Sequence, residues 1–367
     1  MHRRLSQHNF DHEQLRSWFL SHKRPLAWRI APSPYSVWIS EVMLQQTQVE
    51  RVEKYFARWM KRFPTVTDLA AAPLETVMKL WEGLGYYSRA RALHEAAQFI
   101  ETHFNGIIPE SEELLSHVKG LGPYTVNAIR AFAFHKKVVP VDANVVRVLT
   151  RFFLIEDDVT KARVKKLLQH TANSLLPQHK PWEIAEALIE LGALHCRKKA
   201  VCNGCPLQSD CLAFTHAKQD VLPHTTKKTI YEKLYRDVAI IVSANYALVK
   251  QVEAGKVFAG LWEFPHFECN VGGSSFKNLS RALGEQFGIE PRPLFTLSEE
   301  RQSFTRFRAF LYPKLFVVDQ AFPTPHYIWK PIDNLVLLPF QSGHRRILNL
   351  FLKEGLCHTE TYENQSH

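Results

Sequence analysis

The densest chemical signal in the sequence is a group of four thiols, Cys196, Cys202, Cys205 and Cys211, with five, two and five residues between successive members. Thiolates are soft ligands, and four of them can bind a zinc ion or an iron–sulfur cluster. The group is one compact run, without a second CxxC pair or ligating histidines. We therefore favour a [4Fe–4S] cluster over zinc, and four unligated thiols are the remaining alternative.

Glu41 is a carboxylic acid in an apolar stretch, next to Trp38, Ile39, Val42 and Leu44. Burial disfavours the charged form of a carboxyl group, and a raised pKa suits a general acid or base near neutral pH. A buried carboxylate paired with an arginine is an equally good interpretation of the same pattern.

A glycine-rich turn follows a polar helix predicted over Glu110–His117, in which Leu114 and Leu115 form the inner face. Gly120 and Gly122 allow backbone angles and close approaches that a side chain would block, and the proline after them suits a first helical turn. The free N–H groups of the next helix then form an anion site, and a DNA phosphate is the obvious anion for a basic chain. An ordinary helix–helix turn is the alternative.

Asp142 comes about twenty residues after this turn, behind the apolar run Lys137–Val141. Because a helical pattern over Val145–Phe153 follows, Asp142 is predicted to be its N-cap. The functional alternative is a carboxylate at the mouth of a cleft beside the phosphate-binding turn. One residue can perform both roles.

Two aromatic segments are candidates for contact with bases. Residues 24–38 form a proline-broken loop, in which Trp28 and Arg29 either cover the core through a cation–π contact or line a pocket for a flat ligand. Residues 81–91 form a glycine-rich turn that has the composition of a base-stacking, phosphate-contacting loop, or of a buried turn with two tyrosines in the core.

Helices must position these residues. One long helical pattern, Val37–Met60, carries Glu41, and its glutamines Gln45 and Gln46 are either surface residues or enter a duplex. Other helices are predicted over 10–20, 64–72, 74–80, 92–104, 125–134, 161–177 and 182–194.

The pattern changes from helices to strands after a polar, basic linker at residues 216–234. Val238, Ile240 and Val242 alternate with other residues, which is typical of a strand. Further strands are predicted over 246–251, 304–312 and 314–318, and helices over 276–287 and 343–352. A second, α+β domain over residues 235–355 and a tail over 356–367 are therefore expected.

The charge favours a polyanionic partner. The 367 residues include 46 Lys and Arg against 36 Asp and Glu, a formal net charge of +10. Neither a membrane-spanning apolar run nor the apolar core of a signal peptide is present. We expect a cytoplasmic protein, associated with the nucleoid through DNA, whose cysteines stay reduced.

Several of these segments together resemble a known family. Trp38–Thr47, Trp81–Arg89, Gly120–Thr125 and Glu190–Ala193 are similar to signatures of the helix-hairpin-helix DNA glycosylases, and within them of the MutY-type adenine glycosylases. The resemblance extends over residues 24–215. The region 235–355 resembles the Nudix-like C-terminal domain of the same family, through its Gly260–Pro265 and Ser303–Thr305 motifs.

The resemblance implies a fold class: an all-α helix-hairpin-helix glycosylase domain with a [4Fe–4S] cluster loop at 196–211, followed by an α+β Nudix-like domain. The implied boundaries are 1–215 for the first domain and 235–355 for a domain that recognises 8-oxoguanine. The implied partner is duplex DNA carrying adenine opposite 8-oxoguanine or guanine, with no membrane and no obligate protein partner, and we expect a monomer.

The implied activity is monofunctional removal of a flipped-out adenine by hydrolysis of its N-glycosidic bond. Glu41 matches the catalytic acid of the family and Asp142 the carboxylate that stabilises the sugar cation, while Tyr124 and Asn144 match residues that orient them. Adenine-pocket positions are matched by Arg24, Leu26, Trp28, Arg29 and Glu186. The implied DNA-binding residues are Gln45, Gln46, Thr47, Gly83, Leu84, Tyr86, Gly120, Gly122 and Thr125, of which Gln46 and Tyr86 wedge into the duplex. Lesion recognition is implied for Ser303, Phe304 and Thr305.

Three alternatives remain open. An endonuclease III-like lyase acting on oxidised pyrimidines needs a lysine nucleophile, which would align with Tyr124, so this chemistry is disfavoured. A non-catalytic DNA-binding protein on the same scaffold is opposed by the presence of Glu41 and Asp142. A zinc protein with a structural cysteine site is the third.

The sequence also departs from the family pattern at several positions. The first two cysteines are one residue closer together than usual, and Ala143 replaces a glycine. Gln302 and Arg306 occupy positions at which the family has histidines. The departures at Gln302 and Arg306 concern recognition of 8-oxoguanine rather than adenine removal.

Overall fold

A computed structural model describes residues 9–226 and 230–355 of the chain. The described residues form two compact units, one of residues 9–71 and 92–226 and the other of residues 72–91 and 230–355. The segment 72–91 therefore packs with the C-terminal part of the chain, although the sequence interpretation groups it with the first domain. The predicted tail 356–367 and residues 227–229 of the predicted linker lie outside the described residues.

Within residues 9–71 and 92–226 the described structure is helical and contains no strand. The helices up to residue 226 are α1 His12–His22, α2 Ala27–Ile30, α3 Pro34–Leu44, α4 Val49–Arg62, α5 Val66–Ala71, α6 Leu74–Trp81, α7 Ser88–Phe104, α8 Glu112–His117, α9 Pro123–Phe132, α10 Ala143–Phe152, α11 Ala162–Ser174, α12 Pro181–Leu194 and α13 Leu212–Thr215. Helix α6 and the start of α7 belong to the second unit.

Helix α3 is the buried centre of the first unit. It begins at a capping box on Ser33, and every side chain from Tyr35 to Met43 is buried. A helix that is buried all round is held within the core rather than on its surface. Because α3 packs against α9, Glu41 on α3 can lie close to Tyr124 on α9. Helix α10 packs against α12 in the same unit.

The predicted long helix Val37–Met60 is wrong in one respect. Helix α3 ends at Leu44 and α4 begins at Val49, and between them Gln46 has a φ of 58°. A left-handed backbone conformation breaks a helix, but glutamine gives no sequence signal for it. In α8, Leu115 is buried as predicted, whereas Leu114 is 43% exposed.

The second unit is built on a mixed sheet. Its elements are β1 Glu232–Ser243, β2 Tyr246–Gln251, β3 Trp262–Glu263, β4 His266–Glu268, α14 Phe276–Phe287, β5 Arg292–Thr296, β6 Glu300–Phe304, β7 Phe307–Val317, β8 Ile328–Pro331, a 3₁₀ helix Ile332–Leu337, α15 Ser342–Leu350 and a π-helical turn Phe351–Gly355. The strand order is β3-β2-β1-β7-β5. Strands β1 and β7 are parallel, whereas the other paired strands of the sheet are antiparallel.

Helices cover both faces of this sheet. Ile347 and Leu348 of α15 pack in the same cluster as Ile240, and Leu279 and Leu283 of α14 pack in the cluster on the opposite face. Strand β1 is therefore buried on both faces along its second half. The sequence pattern suggested that its side chains alternate between core and solvent, and in this half they do not. The predicted strands 304–312 and 314–318 are both confirmed in part. They form one continuous strand, β7, and a turn at residues 305–306 separates it from β6.

The fold class predicted from sequence is confirmed as a helical domain followed by an α+β domain with a mixed sheet. None of the helices in residues 9–226 and 230–355 has the length and apolar character that a membrane span requires.

Candidate active site

A cavity of about 650 Å³ in the first unit is the candidate active site. It is bounded by α2, α3, α12, the start of α9 and the start of α10. The predicted catalytic residues that line it are Glu41, Tyr124, Asp142 and Asn144, and the predicted adenine-pocket residues that line it are Arg24, Leu26, Trp28, Arg29 and Glu186. All nine residues therefore meet at one cavity, although they come from positions 24 to 186 of the chain.

Glu41 is buried, with 7% of its surface exposed. Its Oε2 accepts a hydrogen bond of 2.6 Å from the hydroxyl group of Tyr124. Burial raises the pKa of Glu41 to about 7, although the hydrogen bond from Tyr124 acts in the opposite direction. This carboxyl group can therefore carry a transferable proton near neutral pH.

Asp142 is the N-cap of α10. Its Oδ1 accepts the backbone N–H of Val145 at 2.8 Å, and its Oδ2 accepts the side-chain amide of Asn144 at 2.6 Å. Burial raises the pKa of Asp142, and these hydrogen bonds oppose the effect. The predicted N-cap is confirmed, and Asp142 also lines the cavity. Its functional role stays a prediction.

Asn144 is held from behind by Arg147, one turn further along α10. Arg147 Nη2 donates hydrogen bonds of 2.7 Å to Asn144 Oδ1 and to the carbonyl oxygen of Gly192 on α12. A Cβ on Gly192 would lie 2.5 Å from Cβ of Asn144, so α10 and α12 can approach this closely only at a glycine. The orientation of the Asn144 amide, and with it the contact to Asp142, depends on this packing.

The two arginines of the cavity share one buried carboxylate, Glu190. Arg24 binds it through Nε at 2.7 Å and Nη2 at 3.0 Å, and Arg29 binds it through Nη2 at 2.9 Å. Burial would raise the pKa of Glu190, but the hydrogen bonds from Arg24 and Arg29 outweigh it and hold the pKa at about 2. Of the two alternatives for Arg29, the described contacts therefore favour the pocket wall over the cation–π lid, because Arg29 pairs with a carboxylate at the cavity.

Trp28 and Leu26 form an apolar wall of the cavity and are both 5% exposed. The Trp28 ring packs edge-on against Phe56 at 5.4 Å, so its position is fixed by the core behind it. Glu186 lies on the polar side, 3.9 Å from Arg29, and burial raises its pKa. A flat ligand with hydrogen-bonding edges matches a cavity that is lined by Trp28 and Leu26 together with the carboxyl groups of Glu41 and Glu186.

The predicted phosphate-binding turn leads directly into α9. Gly120 has a φ of 92°, and a Cβ there would lie 3.1 Å from the carbonyl oxygen of Ala92, so this position needs glycine. Gly122 is the N-cap of α9, and a Cβ added to it meets no atom within 4 Å. Thr125 is only 1% exposed, so any contact it makes with DNA would use its backbone.

The break between α3 and α4 presents two of the three predicted polar residues. Gln45 and Gln46 are exposed and Thr47 is half-buried, and all three line the mouth of the cavity. The side-chain amide of Gln45 donates to the Thr125 hydroxyl at 3.4 Å. The left-handed backbone at Gln46 directs the chain away from the helix at this point.

The second unit holds the other predicted DNA-binding residues. In the loop after α6, Tyr86 is 50% exposed with a φ of 48°, and Gly83 has a φ of 99°. Leu84 is 4% exposed, so its side chain belongs to the core of the loop, and only its backbone remains as a predicted contact.

The predicted lesion-recognition residues lie at the β6–β7 hairpin. Ser303 and Thr305 are exposed, and Thr305 takes a left-handed φ of 48° at the turn. Phe304 is half-buried, and its ring packs edge-on against Phe258 at 4.9 Å. Gln302 points into the core, 7% exposed, and accepts the backbone N–H of residue 343 at 2.7 Å, so it does not face a ligand.

The four cysteines line one small cavity after α12. Arg151, buried on α10, donates to Cys196 Sγ at 3.3 Å and to the carbonyl oxygen of Arg197 at 2.7 Å. Burial raises the pKa of the Cys205 thiol to about 12. Four thiols converging on one cavity, with a guanidinium group directed at one sulfur, form a donor set for a soft-metal centre.

A second group of potential metal ligands lies in the second unit. Among the residues of the described ranges, Glu263, His266 and His344 are the group of three whose ligand atoms lie within 4.8 Å of one another. However, Nδ1 of His344 accepts the backbone N–H of Phe264, so a neutral ring carries its proton on the other nitrogen. Glu263 also accepts a hydrogen bond from Gln341. The group is a hydrogen-bond network rather than a metal site.

Sequence reasoning missed Glu190, Arg147 and Arg151 as supports of the site. Glu190 begins one of the motifs that carry the resemblance, but no position in the sequence shows that two arginines more than 160 residues earlier would pair with it. Arg147 and Arg151 follow Asp142 at positions that share one face of α10, which is a signal that can be found in sequence.

Comparison with known proteins agrees with this geometry. Residues 39–173 match the profile described as HhH-GPD superfamily base excision DNA repair protein. Among solved structures, that of a thermostable thymine-DNA glycosylase is similar to this chain, with 25% identity and a TM-score of 0.51, and the match covers 56% of this chain and 94% of that one. The helical unit thus has the fold of the helix-hairpin-helix base excision DNA repair proteins.

The relatives are more specific. An adenine DNA glycosylase of Buchnera aphidicola subsp. Baizongia pistaciae (strain Bp) is 36% identical over 247 residues, which cover 67% of this chain and 70% of that protein. An adenine DNA glycosylase of Rattus norvegicus is 42% identical over 215 residues, which cover 56% of this chain and 42% of that protein. The chain belongs to the adenine DNA glycosylase family, and the family predicted from sequence is confirmed.

Proposed function

We propose that this protein is a base excision repair enzyme that hydrolyses the N-glycosidic bond of adenine mispaired with 8-oxoguanine or guanine in duplex DNA. The observation that carries the proposal is the meeting of Glu41, bound by Tyr124, and the helix-capping Asp142 at one cavity. The cavity accepts an adenine only after the base has left the duplex stack.

Glu41 supplies the proton. Its pKa of about 7 keeps a substantial protonated fraction at neutral pH, and Tyr124 orients the carboxyl group. Transfer of the proton to a ring nitrogen of adenine makes the base a neutral leaving group. The electron pair of the C1′–N9 bond then stays with the departing adenine.

Asp142 stabilises the sugar cation that remains. Its Oδ1 is engaged with the backbone of α10, and Asn144 fixes Oδ2, so the carboxylate is already oriented before the reaction. Addition of water to C1′ gives an abasic site and releases a proton, which restores the acid on Glu41. Two carboxyl groups with different environments around an anomeric carbon follow the general logic of glycoside hydrolysis.

The cavity also disfavours lyase chemistry. A bifunctional glycosylase needs an amine that forms a Schiff base with the sugar. Among the described residues, those that line the cavity include Arg24 and Arg29 but no lysine. Since arginine stays protonated, it is not a nucleophile under these conditions.

We infer that Cys196, Cys202, Cys205 and Cys211 would hold a [4Fe–4S] cluster, which would supply a covalent brace for the loop after α12. All four thiols line one cavity. They form one compact run without a second CxxC pair or an intervening histidine, which favours a cluster over one zinc ion.

We also propose that the protein acts as a monomer on duplex DNA. The exposed N-cap of α9 at Gly122 is the proposed phosphate site, and Gln46 and Tyr86 are the proposed wedges. Ser303, Phe304 and Thr305 are the proposed contacts to the base opposite adenine. The net charge of +10 supports a polyanionic partner, and the cytoplasm with its nucleoid remains the proposed location.

Single-turnover strand scission tests the proposal. Duplexes carry adenine opposite 8-oxoguanine, guanine or thymine, and each reaction is analysed with and without alkali. We expect alkali-dependent cleavage at the two mispairs and none opposite thymine. Cleavage without alkali would restore the lyase alternative, and no cleavage of any duplex would leave a non-catalytic DNA-binding protein.

A further inference from the structure

The loop that carries Tyr86 is built into the second unit. Helix α6, which leads into it, is attached at two points. The indole N–H of Trp262 on β3 donates to Glu75 Oε1 at 3.0 Å. Lys79 Nζ donates to the carbonyl oxygens of Val336 at 2.6 Å and Leu338 at 3.3 Å, just before α15. The segment is therefore fixed to the α+β unit at its start.

The third attachment is an ion pair between Glu82 and Arg345 of α15. Arg345 Nε lies 2.6 Å from Glu82 Oε1, and its Nη2 lies 3.2 Å from Oε2. Glu82 Oε1 also accepts the backbone N–H of Phe340 at 3.2 Å. Both side chains are largely buried, 12% and 16% exposed, and two-point pairing of this kind fixes direction as well as distance.

The loop between Glu82 and Arg89 is braced internally. The carbonyl oxygen of Gly85 accepts hydrogen bonds of 3.1 Å from Trp81 Nε1 and from Arg89 Nη2. The Arg89 guanidinium also lies over the Tyr86 ring, 5.6 Å from its centre. The exposed Tyr86 ring is therefore carried by a braced loop that begins directly after Glu82.

The same helix α15 is also attached to the β6–β7 hairpin. Gln302 of β6 accepts the N–H of Gly343 at 2.7 Å, and Arg346 Nε lies 2.5 Å from Glu300 Oε2. A Cβ on Gly343 would lie 2.3 Å from Gln302 Oε1, so only glycine allows this approach. Helix α15 thus joins the hairpin, through Gln302, to the loop of Tyr86, through Arg345.

We propose that Glu82 and Arg345 are positioning residues that couple the Tyr86 loop to the β6–β7 hairpin, so that contact of the hairpin with the base opposite adenine and insertion of Tyr86 into the duplex occur as one event. This inference rests on the proposed function, because it assigns both elements to the same DNA duplex. An enzyme with the coupling intact uses the hairpin contact to place the wedge. Without the coupling, the identity of the opposite base no longer affects the wedge.

The test uses the full-length protein with Glu82→Gln, Arg345→Met and the double variant. The control is Arg281→Met, which makes the same substitution in the same unit. Arg281 and its partner Glu285 are both exposed. We measure single-turnover adenine release opposite 8-oxoguanine and opposite guanine. We expect each variant to lower the ratio of the two rates by about fivefold or more, and Arg281→Met to leave it unchanged.

The double variant tests whether the two residues act together. If the ion pair is the coupling element, the ratio in the double variant equals that in either single variant, because the same link is broken only once. Additive losses would overturn the proposal, and so would a ratio that stays at the wild-type value in all three variants. Thermal unfolding identifies variants that fail to fold, and Arg345→Lys, which keeps the charge, should recover part of the ratio.

A second readout separates this inference from the proposed function. A 2-aminopurine next to the mispair becomes more fluorescent when it is unstacked. We expect wild-type protein to raise the signal more with 8-oxoguanine than with guanine, and Glu82→Gln to abolish that difference. If no adenine is released from any duplex, the proposed function fails, while the fluorescence still decides the coupling. If wild-type protein gives equal 2-aminopurine fluorescence with 8-oxoguanine and with guanine, the proposed coupling is overturned.

Discussion

The hydroxyl group of Tyr124 lies 2.6 Å from Oε2 of Glu41 and donates a hydrogen bond to it. This contact joins helix α9, which starts at the proposed phosphate site, to the acid on α3. Since a hydrogen bond to the charged form of a carboxyl group lowers its pKa, Tyr124 keeps the Glu41 pKa from rising further.

Tyr124→Phe should therefore shift the pH dependence of adenine release. Glu41 acts in its protonated form, so the wild-type rate should fall as the pH rises through about 7. Without the hydroxyl group the Glu41 pKa rises, and this descending limb should move to higher pH, with a rate loss of about tenfold from lost orientation. Single-turnover rates between pH 5.5 and 9 measure both effects. A limb that stays in place would show that Tyr124 does not act on Glu41.

Glu41→Gln should abolish base release, keep duplex binding and stabilise the fold at alkaline pH. The folded-state pKa of Glu41 is raised to about 7. A carboxyl group with a raised pKa gives stability that is present below its unfolded pKa and lost as the pH rises through the folded value. The neutral amide avoids this loss, which for a shift of this size amounts to about 3 kcal/mol.

Urea unfolding of wild type and Glu41→Gln at pH 4 and pH 8 measures the difference. We expect the variant to be more stable at pH 8 and the two proteins to be similar at pH 4. Equal stability at both values would show that the Glu41 pKa is not raised, and normal turnover would exclude Glu41 as the acid.

Glu190→Gln should weaken the fold and the adenine pocket together. It leaves Arg24 and Arg29 without their shared carboxylate, and breaking a buried pair from one side costs about 3 kcal/mol or more. The pKa of Glu190 is lowered to about 2, so its contribution is present above about pH 4.5 and is lost as the pH falls towards 2. Unfolding at pH 7 and at low pH should show the deficit shrinking with acid. The exposed pair of Glu156 and Lys218 supplies the control Glu156→Gln, which should unfold like wild type.

Gly122→Asp should weaken binding to every duplex without disturbing the fold. The new Cβ meets no atom within 4 Å, but its carboxylate adds negative charge at the N-terminus of α9, where a phosphate is proposed to bind. Fluorescence anisotropy with matched and mispaired duplexes should show similar losses for both. Gly120→Ala, in contrast, should lower the thermal stability, because φ is 92° and Ala92 is in contact. Unchanged affinity of Gly122→Asp would remove the turn from the DNA interface.

Much of the site is predictable from sequence because its chemistry is local. Glu41 stands out as a charged residue among apolar ones, and Asp142 stands out as a cap before a helix. Glu41 and Asp142 are far apart in the chain, so no local pattern predicts that they meet at one cavity. Only the family resemblance predicts it. Glu190 was missed for the same reason, since its partners are far away in the chain.

Turns in which a residue other than glycine takes a left-handed backbone conformation are the least predictable part of the fold. The helix break at Gln46 and the hairpin turn at Thr305 both depend on left-handed conformations in residues that rarely adopt them. Gln302 stands where the family has a histidine, and the sequence does not show that its side chain lies in the core. A polar residue at a strand position gives no sign of which face it occupies when helices cover both faces of the sheet.

The two oxygens of the Asp142 carboxylate have separate duties, since Oδ1 caps α10 and Oδ2 faces Asn144. Natural selection for a stable helix and selection for repair activity therefore act on the same side chain. Asparagine at this position would keep the cap through Oδ1, but it would lose the charge and place its amide N–H groups against those of Asn144.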